Sequence, residues 1–302
     1  MKQDLNTIVD RANTNCAKWD FKKHIFGTDD ILPFWVADMD FKSPQEVTEA
    51  LINRAKHGIF GYTLCDDKYY ELFSKWMNKR FQWQIKNEWI VTSPNVIVAI
   101  VAAINMFSEP NDKVVVQTPV YQQFSSKIIA NERTIVNNPL KLNYGKYEID
   151  FNDLFQKVKD PRVKILILCN PHNPIGRMWT KEELLKIGKI CSENNTLVIS
   201  DEIHCDLTYG DKAHVPFGSI SKELEQNCIV CTSIGKTFNL SGMKLANIII
   251  PNGNIREKMT YFLQNKFNFL TVPSLSVAAA KAAYEHGEEW LDEVNNYIKN
   301  NM

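Results

Sequence analysis

Continuous apolar runs recur along the chain at Lys113 to Gln117, Val163 to Cys169, Thr196 to Ser200, Cys228 to Thr232 and Asn247 to Ile250, each short and rich in Val, Ile and Leu. Runs that do not alternate with polar residues suit strands covered on both faces. Between them the apolar spacing changes to three and four. Leu184, Leu185, Ile187 and Ile190 follow Thr180-Lys181-Glu182-Glu183, a capping-box start, and predict a helix that stops near Asn194-Asn195. Ser43-Pro44-Gln45-Glu46 opens another: Ser43 serves as N-cap, Pro44 takes the first helical position and Gly58 lies just past the end, so the helix covers roughly 44–57. The stretch Val96 to Phe107, apolar apart from Asn105, falls short of the about 20 residues that cross a bilayer and reads as a buried helix.

Strands alternating with helices predict an α/β fold, a mostly parallel sheet flanked by helices whose ligands gather beyond the carboxyl ends of the strands. From Glu288 onward Trp290, Val294, Tyr297 and Ile298 mark an amphipathic helix, and the chain stops at Asn301-Met302 with no later element to cover that face. A covering partner outside the chain is therefore expected. No internal repeat or Pro/Gly/Ser linker divides the sequence.

Composition narrows the partners. The 302 residues suffice to bury about three quarters of the unfolded surface. The 35 basic and 35 acidic residues cancel without forming like-charge blocks, which argues against a nucleic-acid or membrane surface and for small-molecule or protein partners. Seven cysteines are an odd number, and Met1 to Asp4 leads into a polar segment without an apolar signal core, so reduced thiols in the cytoplasm are expected. Cys228-Ile229-Val230-Cys231 is a C-x-x-C in form only, because a strand points those two side chains to opposite faces and no second pair completes a metal site.

The candidate chemistry sits in three polar loops, each directly after an apolar strand: Asn170-Pro171-His172-Asn173-Pro174-Ile175-Gly176, Ser200-Asp201-Glu202-Ile203-His204, and Thr232-Ser233-Ile234-Gly235-Lys236-Thr237-Phe238-Asn239. Lys236, on a Gly-containing turn, can reach a cofactor carbonyl and later shuttle a substrate proton. A buried carboxylate beside a ring nitrogen keeps that nitrogen protonated, which suits Asp201; Asn173 can donate to a ring oxygen, with His204 near enough in sequence to help. The start of the apolar helix at Asn95-Val96-Ile97 offers the free amides of Val96 and Ile97 to a phosphate, and Ser233 and Lys244 complete the cradle. Tyr121, after the Lys113 strand, can stack on a ring. Together these residues read as a pyridoxal 5′-phosphate (PLP) site with no metal. Gly235-Lys236-Thr237 also looks like the end of a P-loop, but the first P-loop glycine falls on Val230. Glu202 and His204 lack a nearby third ligand for a metal.

At these residues the chain resembles the fold-type I PLP enzymes of the class I/II aminotransferase superfamily, and within it the cystathionine β-lyase or C–S lyase branch of MalY/PatB type. Leu32 to Phe41, Gly58 to Thr63, Asp201 to Leu207 and Ser233 to Asn239 carry the branch-typical stretches. The resemblance implies that Lys236 carries the cofactor, Asp201 pairs with its ring nitrogen, Asn173 binds its 3′ oxygen and Tyr121 stacks on it. It implies a homodimer in which Tyr62 reaches the neighbouring subunit's cofactor phosphate, and a catalytic part for Tyr62 and Tyr121. It also divides the chain into residues 1–45 of a small domain, a large PLP-binding domain over 46–287, and a helix from 288 leading into the rest of an incomplete small domain. The expected activity is β-elimination from cystathionine or a cysteine S-conjugate, giving thiol, pyruvate and ammonia. An aminotransferase, or a truncated PLP-binding protein acting through protein contacts, are the alternatives.

Three departures from the family pattern stand out. Lys244 replaces an arginine eight residues after the lysine and loses its bidentate fork, which predicts weaker phosphate binding. Asn95 replaces a glycine in the phosphate turn and is expected to tolerate left-handed geometry. The arginine that grips the substrate carboxylate in relatives lies in a part of the small domain that this chain does not reach.

Overall fold

The protein's structure, a computed structural model, describes residues 5–209 and 213–302; the polar lead Met1 to Asp4 lies outside them. Its strands, in chain order, are β1 (Ile90–Ser93), β2 (Lys113–Val116), β3 (Thr134–Asn137), β4 (Lys141–Asn143), β5 (Lys146–Glu148), β6 (Val163–Cys169), β7 (Leu197–Asp201), β8 (Cys228–Ser233) and β9 (Ala246–Ile249). Seven of them form one sheet in the order β1-β9-β8-β7-β6-β2-β3, while β4 and β5 make a separate hairpin. β3, β2, β6, β7 and β8 pair in parallel, and β9 alone runs against its neighbours β8 and β1. All five apolar runs of the sequence are strands, each bounded within one residue of its expected position.

Lack of alternation in those runs has a direct structural cause: helices cover both faces. Val115, Leu166, Leu168, Val198 and Val230 point into one core, and Val114, Ile165, Ile167, Ile199 and Ile229 into the other. Cys228 falls in the first core and Cys231 in the second, so the C-x-x-C pair straddles the sheet, and both are free thiols. The Val96–Phe107 helix packs on the second face with Phe124, Ile128 and Met259. Helices Asp67–Phe81, Lys181–Ser192, Ser274–His286 and Glu288–Asn300 line the first.

Local signals set several boundaries. Thr180 Oγ1 accepts from Glu183 N–H at 3.3 Å while the Glu183 carboxylate accepts from Thr180 N–H at 2.8 Å, completing the expected capping box, an arrangement worth about 1 kcal/mol. The helix ends at Ser192, two residues short of the Asn194 expected. Ser43 does not cap its helix: Pro44 holds the cap position, the helix is Gln45–His57, and Ser43 Oγ instead donates to Asn239 O at 3.4 Å. Gly58, at φ 77°, ends that helix in the left-handed conformation a glycine allows.

The C-terminal helix differs most from expectation. Its apolar face is covered within the chain: Trp290, Leu291 and Val294 are buried, and Trp290 Nε1 donates to Lys42 O at 3.0 Å. Tyr297 meets Phe41 edge-on at 5.3 Å, and Asn295 Nδ2 donates to Asp206 O at 2.9 Å. An N-terminal stretch and a loop after β7, distant in sequence, supply the cover that periodicity alone could not locate. Among the described residues no helix is long and apolar enough to cross a membrane.

Candidate active site

β1, β2, β6, β7 and β8 all point one way, so the loops after their carboxyl ends converge on one edge of the sheet. The chain moves outward from β2 to β3 and in the other direction from β6 through β7 to β8, which places a switch point between β2 and β6. Open α/β sheets bind ligands at such a crevice. Tyr121 follows β2, Asn173 follows β6, Asp201 closes β7 and Lys236 follows β8.

Lys236 is not on an open turn. β8 runs directly into a one-turn helix, Ile234–Thr237, in which Lys236 is the third residue. Ser233 makes this possible, since its Oγ accepts from Gly235 N–H at 3.0 Å and donates to Leu245 O at 2.9 Å. That hydroxyl, expected at a phosphate, is thus engaged with backbone. Thr237 Oγ1 donates to the buried Asp206 carboxylate at 2.9 Å, which also receives Trp76 Nε1 at 3.4 Å, so the short helix is anchored from below. The Lys236 amine donates to Ala37 O at 2.5 Å. Burial lowers its pKa, while the charges of Asp38 and Asp201 pull it back up.

Asp201 is 5% exposed, and its Oδ1 accepts from Ile203 N–H at 3.1 Å. Burial raises its pKa to about 7, opposed by that hydrogen bond, helped by the Glu202 charge and opposed again by Lys236. A carboxylate so deep in the protein is stable as an anion only beside a cation. His204 is held neutral, its pKa pushed down to about 4 by burial and then by the Lys236 charge. The Tyr121 phenol is raised by burial and by the Asp201 charge, so the two share one site; its ring meets Phe124 edge-on at 5.7 Å and stays 38% exposed. Charge thus links Tyr121 to Asp201, Asp201 to Lys236 and Lys236 to His204 at the same edge of the sheet. Asn173 lies beside it, half-buried, its N–H directed at Cys169 Sγ at 3.3 Å.

Val96 and Ile97 open their helix, and Asn95 Oδ1 accepts from Val98 N–H at 2.8 Å. The first two amides stay without an intrahelical acceptor, as at any helix start. Asn95 has φ −165°, an extended conformation open to any residue. Left-handed tolerance is thus not what retains asparagine there; its capping side chain is. Lys244 is exposed and itself left-handed at φ 51°. Tyr62 makes none of these contacts: its ring is 97% exposed, and the adjacent Thr63 bridges to Val272.

The donor set fits PLP. A dry carboxylate with a raised pKa offers a place for a pyridinium N–H, a half-buried amine lies in reach of its charge, and free helix-start amides with the exposed Lys244 suit a phosphate.

Sequence reading missed several supports. His172 Nε2 donates to Pro119 O at 2.9 Å, tying the loop after β6 to the loop that carries Tyr121. Glu202 turns away from His204 into a fully buried pair with His214 Nε2 at 2.8 Å, and also accepts from Ser200 Oγ at 2.7 Å and Phe217 N–H at 2.8 Å. Asp38 belongs to the neighbourhood of Lys236 although nearly two hundred positions separate them. Nothing in local spacing signals such long-range pairs.

A mostly parallel sheet with a lysine, a buried aspartate and a tyrosine beyond the carboxyl ends of its strands is the architecture of the fold-type I PLP enzymes. The chain belongs to the aminotransferase class I and II family, which matches residues 29–302. It is 46% identical to cystathionine β-lyase PatB of Bacillus subtilis (strain 168) over 97% of this chain and 76% of that protein. It is 33% identical to protein MalY of Escherichia coli (strain K12) over 99% of this chain and 76% of that one. Among solved structures, the PLP-bound C–S lyase from Staphylococcus hominis superposes with a TM-score of 0.91 at 36% identity, covering 100% of this chain and 75% of that one.

Proposed function

We propose that this protein is a PLP-dependent carbon–sulfur β-lyase that cleaves cystathionine or a cysteine S-conjugate to a thiol, pyruvate and ammonia. The observation that carries the reading is the coupling of Asp201 and Lys236 at the carboxyl ends of adjacent strands, a raised carboxylate facing a lowered amine. The names of the relatives, a cystathionine β-lyase and a C–S lyase, support the choice of leaving group.

Bound PLP supplies an electron sink for the pair left on the substrate Cα when its proton departs. The rest falls to side chains. Asp201 holds the proton on the ring nitrogen. Lys236 Nζ takes the Cα proton, a role that requires the neutral amine and so gains from a burial-lowered pKa. Tyr121 would stack on the ring and orient substrate, Asn173 and His204 would hold the ring's polar substituent, and Val96 N–H, Ile97 N–H and Lys244 would hold the phosphate.

Cystathionine supplied without any 2-oxo acid is expected to yield pyruvate and free homocysteine in equal amounts. Turnover that depends strictly on an added oxo acid would sink the lyase reading in favour of a transaminase. The proposed partner is a small-molecule amino-acid substrate, and the cytoplasm is the proposed location.

The homodimer belongs to the same reading. Leu32, Phe34, Ile59, Phe60, Tyr62 and Leu64 expose large apolar side chains, Phe34 and Tyr62 almost completely. Pairing of two copies would bury them and carry Tyr62 toward the other copy's phosphate site. Sedimentation should give twice the 34.8 kDa chain mass; a monomer at tens of micromolar refutes the pairing.

A further inference from the structure

Asn239 lies three residues past Lys236, beyond the end of the short helix, at a left-handed φ of 57°. Its side chain grips the backbone of the N-terminal segment at three points. Oδ1 accepts from Met39 N–H at 2.9 Å, and Nδ2 donates to Met39 O at 3.0 Å and to Phe41 O at 2.9 Å. Its own carbonyl accepts from Ser43 Oγ at 3.4 Å. Two residues before the gripped Met39, Ala37 O accepts from the Lys236 amine. Asp38, between them, is held by Arg11 at 2.7 Å and by Lys18 at 3.6 Å. One amide thus commits its oxygen and both nitrogen protons to a segment about two hundred positions away, and that segment ends on the lysine.

We infer that Asn239 is a positioning residue for Lys236: by locking residues 39–41 it keeps the Ala37 carbonyl on the amine and holds that amine oriented in the site. This rests on the reading of Lys236 as the cofactor-binding lysine. The charged and titratable groups facing the amine are Asp38 from the N-terminal segment and Asp201 and His204 from the end of β7. Without the grip the amine keeps its helix but loses its acceptor and its fixed direction.

The test uses the 302-residue chain free of cofactor. Acylation of lysines by N-acetoxysuccinimide is followed residue by residue with peptide mass spectrometry between pH 7 and 10.5, and the exposed Lys86 serves as internal reference. Asn239→Ala is expected to speed labelling of Lys236 about fivefold, the scale of one lost hydrogen bond, and to leave Lys86 unchanged. Asn239→Asp presents a carboxylate to two carbonyl oxygens and should give the same rise. In the unaltered chain, hydrogen exchange at Met39 N–H should be slow. Free exchange there, an unchanged Lys236 rate in both variants, or an equal rise across all lysines would each overturn the inference, the last because it marks a structural role alone. Since the labelling needs no cofactor, failure of the chain to bind PLP sinks only the lyase reading.

Discussion

Lys236→Ala is expected to abolish turnover of cystathionine, lowering kcat/KM by at least about 10⁴-fold, because one change removes both the nucleophile for the cofactor and the base for the substrate proton. The visible absorption of the PLP-loaded chain should collapse to that of free cofactor. The fold should survive, since the amine is half-buried and donates to Ala37 O, while the short helix stays anchored through Thr237 and Asp206. Lys236→Arg is the sharper variant. Arginine keeps a cation near Asp38 and Asp201 but stays protonated, so it can neither condense with an aldehyde nor accept a proton. Steady-state assays with both variants, together with far-ultraviolet circular dichroism, check this. Activity within tenfold of the parent in either would remove Lys236 from the mechanism.

Much of this site was legible because its residues follow strands whose own pattern is unambiguous. β6, β7 and β8 are continuous apolar runs, and Asn173, Asp201 and Lys236 fall at or within a few residues of their carboxyl ends, so parallel pairing was enough to bring them to one edge. The flanking strands β1 and β3 are not legible in the sequence. Their burial is mixed, with polar residues at the ends that lie near the sheet's margins, and a four-residue run of that kind carries little signal. The supports were less legible still. Asn239 and Arg11 both hold the Met39 backbone, and Arg11 also pairs with the Asp38 carboxylate, across sequence separations that neither period nor spacing encodes. The covered face of the Glu288–Asn300 helix teaches the same lesson: periodicity revealed an apolar stripe but not that Phe41 and the backbone of Lys42 would close over it.

Asp201→Asn should separate the cost of the site from its use. In the cofactor-free chain burial lifts this carboxyl to about 7, whereas an unfolded aspartate titrates near 3.9. The folded pKa is raised, so between about pH 4 and pH 7 the folded chain retains a proton that the unfolded chain has released. Stability from this group therefore falls as pH rises through that window and stays low above it. Three pKa units correspond to on the order of 4 kcal/mol. Asparagine keeps an oxygen for Ile203 N–H and removes the charge, so the cofactor-free variant should be more stable than the parent at pH 8 by up to about that amount, with the difference vanishing near pH 4. Urea unfolding of both chains at pH 4, 6 and 8 measures it, and a gap independent of pH would refute the assignment. With PLP bound the order should reverse, because an amide cannot hold the ring nitrogen's proton as a carboxylate does. kcat/KM should then drop by about 10²- to 10³-fold, the scale for losing one preorganised electrostatic partner. A group that destabilises its empty site and stabilises the occupied one has been retained for binding, since packing alone would favour the asparagine.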